Sequence, residues 1–418
     1  MEIFLYAVLF GTILGVTLRF VFYLIDNPQY VLASFYACCF VQSIVFSGRV
    51  REVVAGQIVF FLLHVIIAHF SYSQKHRRHL HICNIPETRH LWIPLAIVVF
   101  VSVITGYLRD YYSFQILIDV YKVAEIVMFY YILSVSCRTV AHVDKLLNAL
   151  VLLAFLIGSI QIFTTQRGGI GMQMLLIYFP IYVARRIHYS SKSLILLIIA
   201  SFMIVFFSQT RTYMAAYTIC FFFLICCVFS RHKFSLVFKM LLCTIFSLCV
   251  AFYLYNSDSN GKVHQIIDRI AALENGFEKE GGYRLYEIQT ALEKFNEMPI
   301  FGTGYGYKEY LYIRDMGYFE WGDFVHNTYI EILMKVGIFG SLIYSSIILI
   351  LGIKVLRLVK SLSFNPLVRN IVYGGIFGSI TWFLIFAAAP RSSYGVLFVS
   401  LIFALLYKQL ILSETKHI

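Results

Sequence analysis

The 418 residues are 60% hydrophobic and 13% charged, a balance that excludes an ordinary soluble domain and marks an integral membrane protein. The net charge of +12 does not indicate nucleic acid, because the basic residues are scattered over short loops rather than gathered on one face. Nine cysteines form no disulfide framework: all lie in apolar runs except Cys83 and Cys137, which lie in loops.

Taken in order, apolar runs near the roughly 20 residues needed to cross a bilayer fall at 2–24, 28–47, 52–72, 91–108, 113–135, 144–164, 170–186, 192–208, 212–229, 236–255, 328–352, 370–388 and 393–412. They predict an all-α polytopic membrane protein of 12 or 13 spans. The start "MEIFLYAV" has neither a basic leader nor a small-residue cleavage site and reads as a retained helix. Arg19 lies inside that first run and leaves its status open. The basic loops "SQKHRRHLHICNIPETRH", "SCRTVAHVDK", "ARRIHYSSKS", "SRHKFS" and "IKVLRLVKSLSFNPLVRN" are expected on the cytoplasmic side. The basic loop "SGRVRE" is the one that resists this orientation.

The fifth run carries Asp119, Lys122 and Glu125, three apart and so on one helix face. Charges at such a depth need partners or a watery cavity. They belong either to an ion pathway or to a set of pairs that holds helices together.

Between the tenth and eleventh runs the character changes. Residues 256–325 carry 12 acidic against 7 basic residues; the net of −5 leaves +17 for the rest of the chain and places the segment outside the cytoplasm. The expected organisation is therefore 1–255 transmembrane, 256–325 an extracytoplasmic loop with amphipathic helices, and 326–418 transmembrane. Inside the loop, Val263, Ile266, Ile267, Ile270 and Leu273 have helical spacing, as do Leu285, Ile288, Leu292 and Phe295. "PIFGTGYGY" follows, with Gly302, Gly304 and Gly306; these glycines favour turns, and the absence of a preceding strand argues against a nucleotide fingerprint.

Four arginines stand at outer span ends or in outer loops: Arg167, Arg211, Arg284 and Arg391. Arg211 interrupts an almost continuous apolar stretch from Leu194 to Phe229, where an unpaired cation is expensive. They either snorkel to lipid headgroups or grip an anionic substrate through the planar guanidinium fork. His326 and Asn327 open the eleventh run, directly after the acidic loop. The imidazole is either a helix-end contact or a base that accepts a proton from a hydroxyl. No Asp-x-Asp pair is present, so metal-dependent sugar-nucleotide transfer is disfavoured. A transporter of a lipid-linked glycan stays open as an alternative of another class; it would want its key charges near the midplane and internal repeats, whereas the sequence displays no repeat and most of the candidate charges lie at one face.

His326-Asn327, nine residues, Gly337, two residues and Gly340 fit the pattern H-[NSQ]-x9-G-x-x-G; "SQTRT" around Arg211 and "GYRLYEIQTALEKFNEMPIFGTGYG", which contains Arg284, complete a set over Ser208 to Gly340. On these residues the chain resembles the O-antigen ligase and Wzy-type polymerase superfamily of bacterial envelope proteins. The resemblance implies a GT-C-like membrane fold and a metal-independent inverting transferase without cofactor, in the inner membrane with its active site on the periplasmic face. It implies undecaprenyl-pyrophosphate-linked oligosaccharide as donor, a glycan or lipid A–core acceptor, and admits a chain-length regulator as partner. His326 would then be catalytic, Arg211 and Arg284 would hold the pyrophosphate, and Arg167, Arg391 and Asn327 would be further substrate contacts. Ser341-Leu342 follow Gly340 where the ligase pattern continues with Thr-Thr, which turns the expectation toward a polymerase of O-antigen, capsular or exopolysaccharide units, with ligase as the alternative.

Overall fold

The apolar runs become helices because, in lipid, each backbone N–H and C=O must find its partner within the segment. The computed structural model describes residues 19–45, 50–75, 85–164, 170–187, 192–207, 211–229, 287–313, 318–322, 327–362, 365–385 and 396–415. Its helices are α1 (19–26), α2 (Val31–Val45), α3 (Val50–Lys75), α4 (Arg89–Tyr107), α5 (Ser113–Ser136), α6 (Val140–Thr164), α7 (Ile170–Ile187), α8 (Lys192–Phe207), α9 (Arg211–Phe229), α10 (287–297), α11 (Thr328–Ser361), α12 (Pro366–Ile385) and α13 (Val396–Thr415). Six stretches of the described residues are long and apolar enough to cross a membrane. The protein is all-α and polytopic, with one addition. The expected runs 2–24, in its first part, and 236–255 lie outside the described residues, as does the first amphipathic helix of the loop.

The addition is a hairpin that the helical reading of the loop did not include. β1 (Glu309–Ile313) pairs antiparallel with β2 (Tyr318–Gly322), with Tyr310 opposite Trp321 and Tyr312 opposite Phe319. Its strands are rich in aromatic residues, which favour a pleated ribbon over a short exposed helix.

The chain divides into two compact units. One comprises residues 1–84, 128–153 and 406–418. In its interior His64 is hydrogen-bonded on both nitrogens, Nε2 to Ser34 Oγ at 3.0 Å and Nδ1 to the Phe60 carbonyl at 2.6 Å. Phe35, Phe61 and Phe129 pack edge to face beside it. Tyr407 reaches the Asp144 carboxylate in the same unit.

The second unit comprises 85–127 and 154–405. Its apolar centre is α7, which is buried along nearly its whole length and lies against α12. A Cβ at Gly374 would meet the Ile181 backbone at 2.7 Å, and one at Gly378 would meet Ser400 Oγ at 2.1 Å. Ser400 in turn donates to the Ile177 carbonyl at 2.9 Å. Small residues here let two helix backbones approach closely, the usual substitute for hydrophobic drive between helices in lipid. Outward residues such as Leu156 and Leu196 are exposed apolar side chains, as helices surrounded by acyl chains carry.

Candidate functional site

Helix α11 is two helices joined at a break. Asn327 caps the first: its backbone is extended, and its Oδ1 accepts from the N–H groups of Tyr329 at 3.1 Å and Ile330 at 3.2 Å. Two of the four orphan donors at the helix start are thereby satisfied. The Tyr329 hydroxyl donates to the Phe383 carbonyl at 2.5 Å, tying the first turn to α12. After nine helical residues Gly337 takes φ 64° and ψ −167°, a conformation essentially reserved for glycine. The nine-residue spacing between Asn327 and Gly337 is thus the length of one short helix between its cap and its break.

The break leaves four backbone groups without helical partners, and the glycine-rich loop supplies them. In a continuous helix Ile338 and Phe339 would donate to Met334 and Lys335. Instead they donate to the carbonyls of Pro299 at 2.8 Å and Ile300 at 3.0 Å, while the Met334 and Lys335 carbonyls accept from Thr303 N–H at 2.8 Å and Gly304 N–H at 2.9 Å. Gly302 and Gly337 approach so closely that a Cβ on Gly337 would lie 2.4 Å from the Ile300 oxygen, and one on Gly302 would lie 2.5 Å from Gly337 N. "PIFGTG" is therefore inserted into α11.

The rest of the loop is equally committed. Residues 302–306 are all buried, and buried backbone must be paired. Gly302 N–H donates to Met298 O at 3.0 Å and Tyr305 N–H to Ser102 O at 3.0 Å; Gly306 N–H donates to Asp119 Oδ2 at 2.9 Å. Gly106 of α4 gives room for the Tyr305 carbonyl, which a Cβ there would meet at 2.1 Å. Ahead of the loop, α10 packs Ala291 against Met334, with Tyr307 and Ile330 alongside. Its buried positions are Glu287 and Ala291, while Ile288, Leu292 and Phe295 are half-buried.

Beneath this junction sits a charged quartet. Lys335 Nζ lies 2.9 Å from both Asp119 oxygens and 3.1 Å from Glu331 Oε1. Lys122 Nζ lies 3.1 Å from Asp119 Oδ1 and 3.2 Å from Glu331 Oε1. The side chains of Lys335 and Glu331 are 1% and 2% exposed, and that of Lys122 12%. Two acids and two bases balance. Of the two readings open for the charges on α5, mutual pairing is the one the geometry of Asp119 and Lys122 follows. Their partners on α11, Glu331 and Lys335, were not singled out from sequence, although their i,i+4 spacing inside a capped apolar helix is a signal of paired charge. Burial holds the Tyr305 hydroxyl above the quartet well up from the ordinary tyrosine range, and Tyr344 and the Asp119 and Glu331 carboxylates push it the same way; it stays a neutral phenol.

Residues 195–345 match the family model described as O-antigen ligase. Over that stretch the chain is similar to the O-antigen ligase family. Among curated proteins none matches the chain. The O-antigen ligase match covers α9, α10, the inserted loop, the hairpin, the Asn327 cap and the Gly337 break. Of the candidate site residues, Asn327 is the cap described above, and Arg211 is the first residue of α9. His326, Arg284, Arg167 and Arg391 lie outside the described residues.

Proposed function

We propose that the protein is a membrane glycan transferase that moves a glycan from undecaprenyl pyrophosphate to an acceptor hydroxyl. The observation that carries this reading is the insertion of "PIFGTG" into α11, which joins two separated segments of the O-antigen ligase match at a junction one nine-residue helix after the Asn327 cap. His326 takes the proton of the acceptor hydroxyl as its oxygen attacks the anomeric carbon. The bond from that carbon to the pyrophosphate oxygen breaks as the new glycosidic bond forms, with inversion, and undecaprenyl pyrophosphate leaves. Arg211 and Arg284 hold the departing pyrophosphate through bidentate forks, replacing a metal ion in neutralising it. Arg167 and Arg391 are further contacts to donor or acceptor. The Oδ1 of Asn327 is occupied in capping, so Asn327 orients the helix start, and its Nδ2 amide is the group left to contact substrate. The reaction belongs on the periplasmic face of the inner membrane, where the acidic segment 256–325 would lie, with a chain-length regulator as a further partner.

Ser341-Leu342 after Gly340 favour a polymerase that joins repeat units of O-antigen, capsule or exopolysaccharide. The description of the matched family favours a ligase acting on lipid A–core. Purified protein given lipid-linked donor, with either a second lipid-linked glycan or lipid A–core as acceptor, separates them: a polymerase yields a ladder of repeat multiples and a ligase a single transfer. In the same assay His326→Ala should lower turnover by about 10²–10⁴-fold, and excess EDTA should leave the wild type unchanged. Wild-type turnover by His326→Ala, or a loss in EDTA restored by magnesium, would overturn the mechanism.

A further inference from the structure

We propose that Asp119, Lys122, Glu331 and Lys335 are positioning residues for the transfer reaction: the quartet fixes the depth and rotation of the short helix 328–336, and through it the placement of His326. The inference rests on His326 being the catalytic base.

Three segments meet at Asp119. Its Oδ2 accepts from Gly306 N–H, which anchors the inserted loop. Both of its oxygens contact Lys335 of α11, and Lys122 of its own helix bridges Asp119 to Glu331. A buried ion pair is a poor way to gain stability, since desolvation offsets most of the attraction and apolar replacements are often neutral or better. What such a set does provide is a single register, because sliding or turning the helix by one residue would separate the charges and leave them buried and unpaired.

Position makes that register matter. Glu331 and Lys335 lie four and eight residues after the Asn327 cap, on the order of 6 and 12 Å along the helix axis. The cap at one end and the break at the other set the length of the short helix, the Thr303 and Gly304 N–H groups hold the carbonyls of its last turn, and the quartet ties its Glu331 and Lys335 side chains to α5. An error of about 1 Å in a reacting group can cost about a hundredfold in rate.

Asp119→Asn tests this. It keeps an acceptor for Gly306 N–H but leaves two lysines against one carboxylate. In the reconstituted assay kcat should fall about 10- to 100-fold while KM for the lipid-linked donor stays within about twofold, because the arginines that hold pyrophosphate are on other segments. The charge-balanced variant Asp119→Asn/Lys335→Met, which leaves the Lys122–Glu331 pair, should recover at least half of the lost rate on a logarithmic scale. Unchanged kcat in Asp119→Asn would overturn the proposal, as would a parallel loss of kcat and of folded protein that the double variant does not relieve. If Asp119→Asn fails to accumulate in membranes, Lys122→Met takes its place: lowered kcat at constant KM supports the proposal and wild-type kcat overturns it. His326→Ala run beside them separates the premises. Should it retain turnover, the catalytic reading fails; should it be inactive while Asp119→Asn is normal, only the positioning role fails.

Discussion

The seam between α7 and α12 and the junction between the 299–306 loop and α11 both bring backbones into direct contact, and both depend on glycine, yet they are held by different forces. At the seam, Gly374 and Gly378 remove bulk so that apolar helices can pack against each other, with one Ser400 hydrogen bond as the polar element. At the junction, four loop-to-helix backbone hydrogen bonds and a buried charged quartet do the work, and Gly337 and Gly302 adopt positive φ. Packing of the first kind tolerates small slips. The second kind does not, because each donor has one acceptor at one distance. A membrane protein that needs scaffold alone can rely on the first; the catalytic role proposed for His326 calls for the second, a fixed polar junction one short helix away.

The contrast can be broken most sharply at Gly337. Gly337→Ala places a Cβ 2.4 Å from the Ile300 oxygen in a conformation that costs roughly 1–3 kcal/mol for a non-glycine residue. Transfer should drop by about a hundredfold or more, and limited proteolysis should newly cleave near 299–306 as the loop is expelled. Retained activity with an intact loop would mean that the junction is no more demanding than the seam.

Gly374→Ala sharpens the comparison from the other side. Its Cβ would press the Ile181 backbone at 2.7 Å, an overpacking worth about 1–3 kcal/mol. Thermal unfolding in detergent should occur at lower temperature, while turnover per folded molecule stays at the wild-type level. A loss of turnover without a loss of stability would place α12 in the reaction rather than in the scaffold.

The smallest effect is expected at the cap. Asn327→Ala removes an acceptor shared by Tyr329 and Ile330, worth about 0.5–2 kcal/mol, and the Tyr329–Phe383 bond remains to hold the first turn. Turnover should fall less than tenfold, and Asn327→Ser or Asn327→Asp should restore it, as either side chain can cap. Failure of both to restore it would give Asn327 a direct contact with substrate.

Hydrophobic runs located most of the described helices to within a few residues, because a bilayer imposes both the length and the apolarity. The run 113–135 is the helix Ser113–Ser136, and 192–208 is Lys192–Phe207. The run 328–352 is the exception: α11 continues to Ser361, because Lys354, Arg357 and Lys360 can extend their stems along an apolar helix while their charges reach the interface. The nine-residue spacing before Gly337 was visible as a pattern, but not that it measures a helix from cap to break. The insertion of 299–306 was invisible for a physical reason. It is built from backbone hydrogen bonds between residues 31 to 39 positions apart in the chain, and backbone groups are the same in every residue. The hairpin was hidden by its neighbours, since strand-forming residues within an acidic loop carry no signal at the helical period.

The break at Gly337 also converts spacing into angle. The short helix is fixed at its lower end to the loop, so one residue inserted between Asn327 and Gly337 would turn the residues above it by about 100° and lift them about 1.5 Å. The same insertion after Ile347 would rotate only the part of α11 that runs on toward Ser361. A single helix thus contains a dial with an indexed upper portion and an unindexed lower one, and the glycine is the stop between them.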